Sequence, residues 1–177
     1  EKLTGMHDLY FYTSDLGNTY NTYCFDNNGA MQTAWGQFSD GSYYYLYEPL
    51  DGDRNVASVN PSNQISFESI GAVRGAMIKS FWALIRSVGT DNYYWYYFDA
   101  NGVMLTGWQQ IGGYWYYMTS DGHMQTGWQQ IGGAWYFLRQ STNQYGTGPE
   151  GSMLANTSAY INGKTYYFNA SGVCTNP

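Results

Sequence analysis

The heptapeptide Gly-Trp-Gln-Gln-Ile-Gly-Gly occupies positions 107–113 and returns unchanged at 127–133, twenty residues later. A period this short marks a stacked array. Each unit is one supersecondary element that cannot bury its own apolar face and must lean on its neighbours. Both units have the same order of parts. Gly-Trp opens, Gly112-Gly113 bends the chain, and Trp115-Tyr116-Tyr117 is a run of strong β-formers. Ser120-Asp121-Gly122 reads as the hairpin turn, and Met124 lies on the return segment. With 20% aromatic residues, 22 Gly and only 11% charged residues among 177, the rest of the chain suits a turn-dense β array better than an average enzyme.

The frame extends in both directions. Thr22-Tyr23-Cys24-Phe25 through Met31 aligns with Trp95-Tyr96-Tyr97-Phe98 through Met104, Thr22 standing where the other unit has Trp. Trp35, Trp82, Trp108 and Trp128 open units, whereas Ser158 falls where the last opening Trp belongs. In the last unit Thr165 replaces the strand Trp and Cys174 the Met, as befits a capping repeat. Residues 1–21 read as a divergent first hairpin, 22–47 and 74–177 as recognisable repeats, and 48–73 as an insertion within the second repeat. The expectation is one array over 1–177: an all-β solenoid of about six stacked β-hairpins, two of them extended, by residues 48–73 and by Arg139 through Glu150. Lys79 to Ile85 has some helical spacing, but the frame assigns it to strand or turn.

These units resemble the cell-wall-binding repeat of Gram-positive surface proteins, best known as the choline-binding repeat. Its pattern runs Gly-Trp, a short bend, Gly-x-Trp-Tyr-Tyr-Phe, then Gly-x-Met-x-Thr-Gly-Trp. The resemblance is strongest over the units that open at Gly107 and Gly127. It implies a secreted, wall-associated, non-catalytic module that recognises choline on teichoic acids. Choline's quaternary ammonium has no hydrogen to donate, so aromatic faces must hold it. Carried over by position, the implied cage residues are the tryptophans Trp82, Trp95, Trp108, Trp115, Trp128 and Trp135. Tyr97, Tyr117 and Phe137 take the third-aromatic place, and Met104 and Met124 the methionine place. Two or three complete sites are expected between the third and fifth units. The same rings are also what hairpins need simply to pack on one another.

Related repeats bind glucans in glucansucrases and serve receptor binding in clostridial toxins. A surface-glycan ligand is therefore a second expectation, with Gln109, Gln110, Gln129 and Gln130 as polar partners. A spacer or self-association array, dimeric or larger, is a third. A catalytic or adhesive domain elsewhere in a longer parent chain is compatible with all three. No cofactor is implied.

Other readings are narrower. A net charge of −6 with 7 Lys+Arg argues against nucleic acid as partner. No apolar run is long enough to insert in a membrane. Glu1-Lys2-Leu3-Thr4 has no leader character, so a mature protein or a fragment is expected. Asp51, Asp53 and Asn55 lack the Gly and Glu of a calcium loop and read as a solvated turn. His7 and His123 lie in different units, Asp99 and Asp121 at turns, and no nucleophile–base spacing, phosphate loop or metal cluster is present. Cys24 and Cys174 read as small apolar fillers, too far apart in a linear stack to be joined.

Overall fold

The computed structural model describes residues 2–13, 17–48, 56–58, 61, 64–66, 74–87 and 92–177. Among these there are strands and turns and no helix. Contacts divide the chain into two compact units, Glu1–Val59 with Gln64–Leu105, and Asn60–Asn63 with Thr106–Pro177.

In the first unit, β1 (Gly5–Thr13) pairs with β2 (Gly17–Phe25), and β3 (Ala34–Gln37) with β4 (Tyr43–Leu46). The third hairpin, β7 (Phe81–Arg86) with β8 (Tyr93–Phe98), is widened by β5 (Val56–Ser58) and β6 (Gln64–Ser66) into a sheet of order β6-β5-β7-β8. The insertion thus adds strands beside β7, and Lys79 to Ile85 runs into a strand as the frame requires. Asp51, Asp53 and Asn55 lie outside the described residues. The second unit holds three hairpins: β9 (Gly107–Ile111) with β10 (Tyr114–Met118), β11 (Gly127–Ile131) with β12 (Ala134–Leu138), and β13 (Thr157–Ile161) with β14 (Lys164–Phe168). Six hairpins therefore carry the fold among the described residues, the all-β stacked-hairpin architecture the repeat implies.

The hairpin turn is not where the sequence alone puts it. Gly112 and Gly113 have φ of 58° and 85°. Two successive positive φ values make the two-residue turn whose twist matches paired strands. Ser120-Asp121-Gly122 instead turns the chain back from β10 so that Met124 can bridge Met118. The turn acids belong to this return. Asp99 Oδ1 accepts from the Asn101 and Val103 amides at 2.8 and 2.9 Å, and Asp26 and Asn169 do the same in their own repeats. These side chains shape turns.

Two contacts stack the hairpins. The amide of each return-segment Met donates to the strand of the preceding hairpin: Met77 to Thr22 and Met104 to Tyr43 in the first unit, at 2.9 and 2.8 Å. In the second unit Met153 donates to Trp115 and Cys174 to Trp135, at 2.8 and 2.7 Å. Two residues before each such position stands a Gly pressed on the previous Met. A Cβ on Gly102 would lie 2.4 Å from Met77 Sδ, and one on Gly172 2.3 Å from Met153 Sδ.

Cores form around this stack. In the first unit Tyr45, Tyr47, Ile78, Ala83, Ile85, Tyr96 and Phe98 are buried together, with Trp35 and Met104 against them. In the second, Phe137, Leu154, Ala159, Ile161, Phe168 and Cys174 cluster with Trp128. Both cysteines are free. Cys174 is a buried filler, while Cys24 Sγ accepts from the Tyr44 hydroxyl at 3.6 Å. Burial, then Cys24, pushes the Tyr44 phenol up to about 12. The lengthened fifth repeat is held by the buried Arg139, whose guanidinium donates to the Gln144 and Gly146 carbonyls and to Ser152 Oγ.

The Gly–Met contact gives a stability prediction. Gly163 has φ 89° with open space around it, whereas Gly172 has φ 78° and Met153 against it. Both Gly→Ala changes cost backbone strain, but Gly172→Ala must also displace Met153. Urea denaturation should show Gly172→Ala less stable than Gly163→Ala by about 1 kcal/mol; equal losses would show that the contact does not constrain the stack.

Candidate functional site

Two aromatic cavities open in the second unit. The first, of about 430 Å³, is lined by Trp108, Trp115, Tyr136, Met153, Ala170 and Ser171. The second, of about 350 Å³, is lined by Trp128, Trp135, Tyr166 and Pro177. Both fall in the size range of small-ligand sites. Neither lining contains a charged side chain.

Strand alternation explains the walls. Trp108 pairs with Tyr117, and Trp115 with Gln110, so all four side chains share one face of the β9–β10 hairpin. Tyr116 faces the other way and is core, 1% exposed. Tyr136, at the same place in the next hairpin, points back instead to the β9–β10 face. Its ring lies 4.9 Å from Trp108 at 62°. The Met153 amide, bonded to the Trp115 carbonyl, brings that methionine to the fourth side. The second cavity repeats the plan: Trp128 lies 4.7 Å from Tyr166 at 66° and 6.2 Å from Trp135 at 84°.

The opening and strand tryptophans have different work. Trp128 also contacts Phe137 and Phe168, at 5.3 and 5.8 Å, and is half-buried. Trp115 and Trp135 are 43% and 36% exposed, unusual for so large an apolar ring. At the rim of the second cavity Lys164 Nζ sits 4.8 Å from the Tyr166 centroid and 3.2 Å from the Pro177 carbonyl.

Of the residues implied by the sequence, Trp108, Trp115, Trp128 and Trp135 are thus gathered into two cavities. Tyr117 and Phe137 stand behind the opening tryptophans at 5.2 and 5.3 Å, and Phe137 is core. Met124 is buried against Gly151. In the first unit Trp82 is fully buried and rests on Tyr97 at 5.2 Å, Trp95 is 6% exposed, and Met104 packs against the Tyr45–Phe98 cluster. Burial first, then the Asp99 charge, raises the Tyr97 phenol above its ordinary value. Gln109 and Gln129 bind the Thr106 and Thr126 carbonyls of their own bends, at 2.8 and 2.9 Å, while Gln110 and Gln130 are exposed. Tyr136, Tyr166 and Met153 escaped the sequence reading. The signal for the two tyrosines was present, since the middle residue of each aromatic triplet must face the opposite side. Met153 resumes the repeat after the extension from Arg139 through Glu150, but the methionine place of the implied cages falls on Met104 and Met124.

Comparison with known proteins bears on this geometry. Residues 105–148 match the choline-binding repeat model, and residues 90–104 and 159–174 match the putative cell wall binding repeat model. The chain belongs to the choline-binding repeat family. Among solved structures, choline binding protein F from Streptococcus pneumoniae is 28% identical, over 98% of this chain and 42% of that one, with TM-score 0.60. The same protein in the presence of a peptidoglycan analogue, a tetrasaccharide-pentapeptide, is 30% identical over 99% of this chain and 52% of that one, with TM-score 0.63. CbpF in complex with ipratropium by soaking gives 30%, 99%, 54% and 0.63. The chain spans about half the length of these relatives. No curated protein matches it.

The division of labour within each choline-binding repeat is testable by denaturation. Trp128→Ala removes a ring that touches four others and should cost on the order of 3 kcal/mol. Trp135→Ala, at the exposed position, should cost under about 1 kcal/mol. Similar losses for both would contradict it.

Proposed function

We propose that the chain is a non-catalytic, extracellular wall-attachment module that holds choline of teichoic acids in the two aromatic cavities of its second unit. The observation that carries this reading is the uncharged cage of two tryptophans and a tyrosine from consecutive hairpins, with its strand Trp left exposed. Ring faces attract a quaternary ammonium without needing a hydrogen bond, and each face contributes about 0.5–2 kcal/mol, Trp most. The thioether of Met153 adds a soft, polarisable wall to the first cage. The family membership and the likeness to choline binding protein F support the same ligand.

Within this reading the cage residues are Trp108, Trp115, Tyr136 and Met153 in one site, and Trp128, Trp135 and Tyr166 in the other. Tyr117, Phe137 and Met124 act from behind by fixing the tryptophans and the stack. The two sites are unequal. Lys164 already places an ammonium on Tyr166, so a second cation is repelled there and partly excluded from that ring. The first cage is the tighter one.

Calorimetric titration with choline tests the proposal, with a dextran oligosaccharide as control. Choline should bind and the sugar should not compete for the cages. Trp115→Ala and Tyr136→Ala should each weaken the tighter site by more than about 1 kcal/mol while the chain stays folded. Lys164→Gln should strengthen the weaker one. No choline heat, or unchanged affinity in folded Trp115→Ala, would overturn the assignment.

A further inference from the structure

The first hairpin carries a cleft built like the cages in backbone but opposite in chemistry. The Met77 amide donates to the Thr22 carbonyl as the Met153 amide does to Trp115, so Thr22 stands at the strand-Trp place of a cage. Register places Met6 opposite Cys24, where the β9–β10 hairpin sets Trp108 opposite Tyr117. Both tryptophans of a cage are therefore missing. Beside this place, sharing Thr22 and Met77 with it, lies a cavity of about 330 Å³ whose lining also includes Asp8, Tyr20, Lys79 and Phe81.

The polar groups in it are organised. The Thr22 hydroxyl donates to the Asp8 carboxylate and accepts from Lys79 Nζ at 2.6 Å. Lys79 owes its place to an added residue: Met77 and Trp82 are five positions apart, whereas Met104 and Trp108 are four. Beside this triad, Asp8 pairs with Thr22 and Tyr10 with Tyr20, so these four side chains share one face of the hairpin. Tyr10 and Tyr20 are 59% and 68% exposed.

We infer that this cleft binds a neutral saccharide and not a quaternary ammonium. A carboxylate acceptor, a hydroxyl and an ammonium donor in sequence match the alternating donors and acceptors of neighbouring sugar hydroxyls. The exposed Tyr20 ring offers the flat apolar face on which a pyranose C–H surface can lie. A quaternary ammonium finds no aromatic cage here, and the Lys79 charge offsets the attraction of the Asp8 carboxylate. The chain then carries two recognition chemistries: cationic guests in the second unit and hydroxyl-rich guests at the first hairpin. The inference does not depend on the choline assignment.

The test is an amide-resolved NMR titration of the whole chain with choline held saturating. The probes are a β-1,4-linked N-acetylglucosamine tetramer and an α-1,6-linked glucose tetramer. One of them should shift the signals of residues 20–22 and 76–81, and the arm that does so identifies the glycan type. Tyr20→Ala and Lys79→Met should each weaken that binding by about fivefold or more, with choline affinity unchanged. Failure of both sugars to shift these signals would overturn the inference. So would sugar shifts confined to the tryptophan cages, or binding unaffected by both variants. Loss of choline binding alone would strike the cage assignment and leave this one standing.

Discussion

The backbone clasp between repeats governs everything else in this molecule. A two-stranded hairpin has one pair of strands and no second layer, and alone in water it is at best marginally stable. Here the return segment supplies what the hairpin lacks. Its Met or Cys bridges its own strand and, in four described cases, donates its amide to the preceding hairpin. The glycine two residues earlier lets the chain settle against the previous methionine at a distance no Cβ would permit. Both devices are needed at one spot, and both are encoded in Gly-x-Met. The aromatic walls inherit their spacing from this clasp.

That dependence explains how much could be read from the chain itself. The period, the strand type and the exchange of Trp for Thr at positions 22 and 165 were visible because each follows from local composition. The candidate site was only half visible. Trp108, Trp115, Trp128 and Trp135 can be named from the repeat, but Tyr136 and Tyr166 join them only once the direction of stacking is known. Tyr117 and Phe137, the third aromatics, pair directly with the opening tryptophans and so support them from within the hairpin. Met153 is far from its frame position because Arg139 and its loop intervene, yet that loop closes on Ser152 and restores the register. Gly112-Gly113 could have been recognised as the hairpin turn, since two adjacent glycines permit the paired positive φ that Ser120-Asp121-Gly122 does not supply.

The repeat also shows how one scaffold tolerates chemical change. Backbone links at Thr22, Tyr43, Trp115 and Trp135 are the same, while the side chains above them run from hydroxyl to phenol to indole. The carbonyl that holds the stack makes no demand on the residue that bears it. Recognition can therefore be rewritten at that position without touching the architecture, and an added residue such as Lys79 can bring in a new functional group from the adjoining segment.

Each aromatic cavity takes two walls from one hairpin and at least one from the next. A guest in it is consequently a rivet between repeats. Pulling the hairpins apart must first empty the cavity, so occupancy adds its binding free energy to the resistance of the joint. Under the proposed choline reading, the guests that would fasten the chain to a wall would also fasten its own repeats to one another.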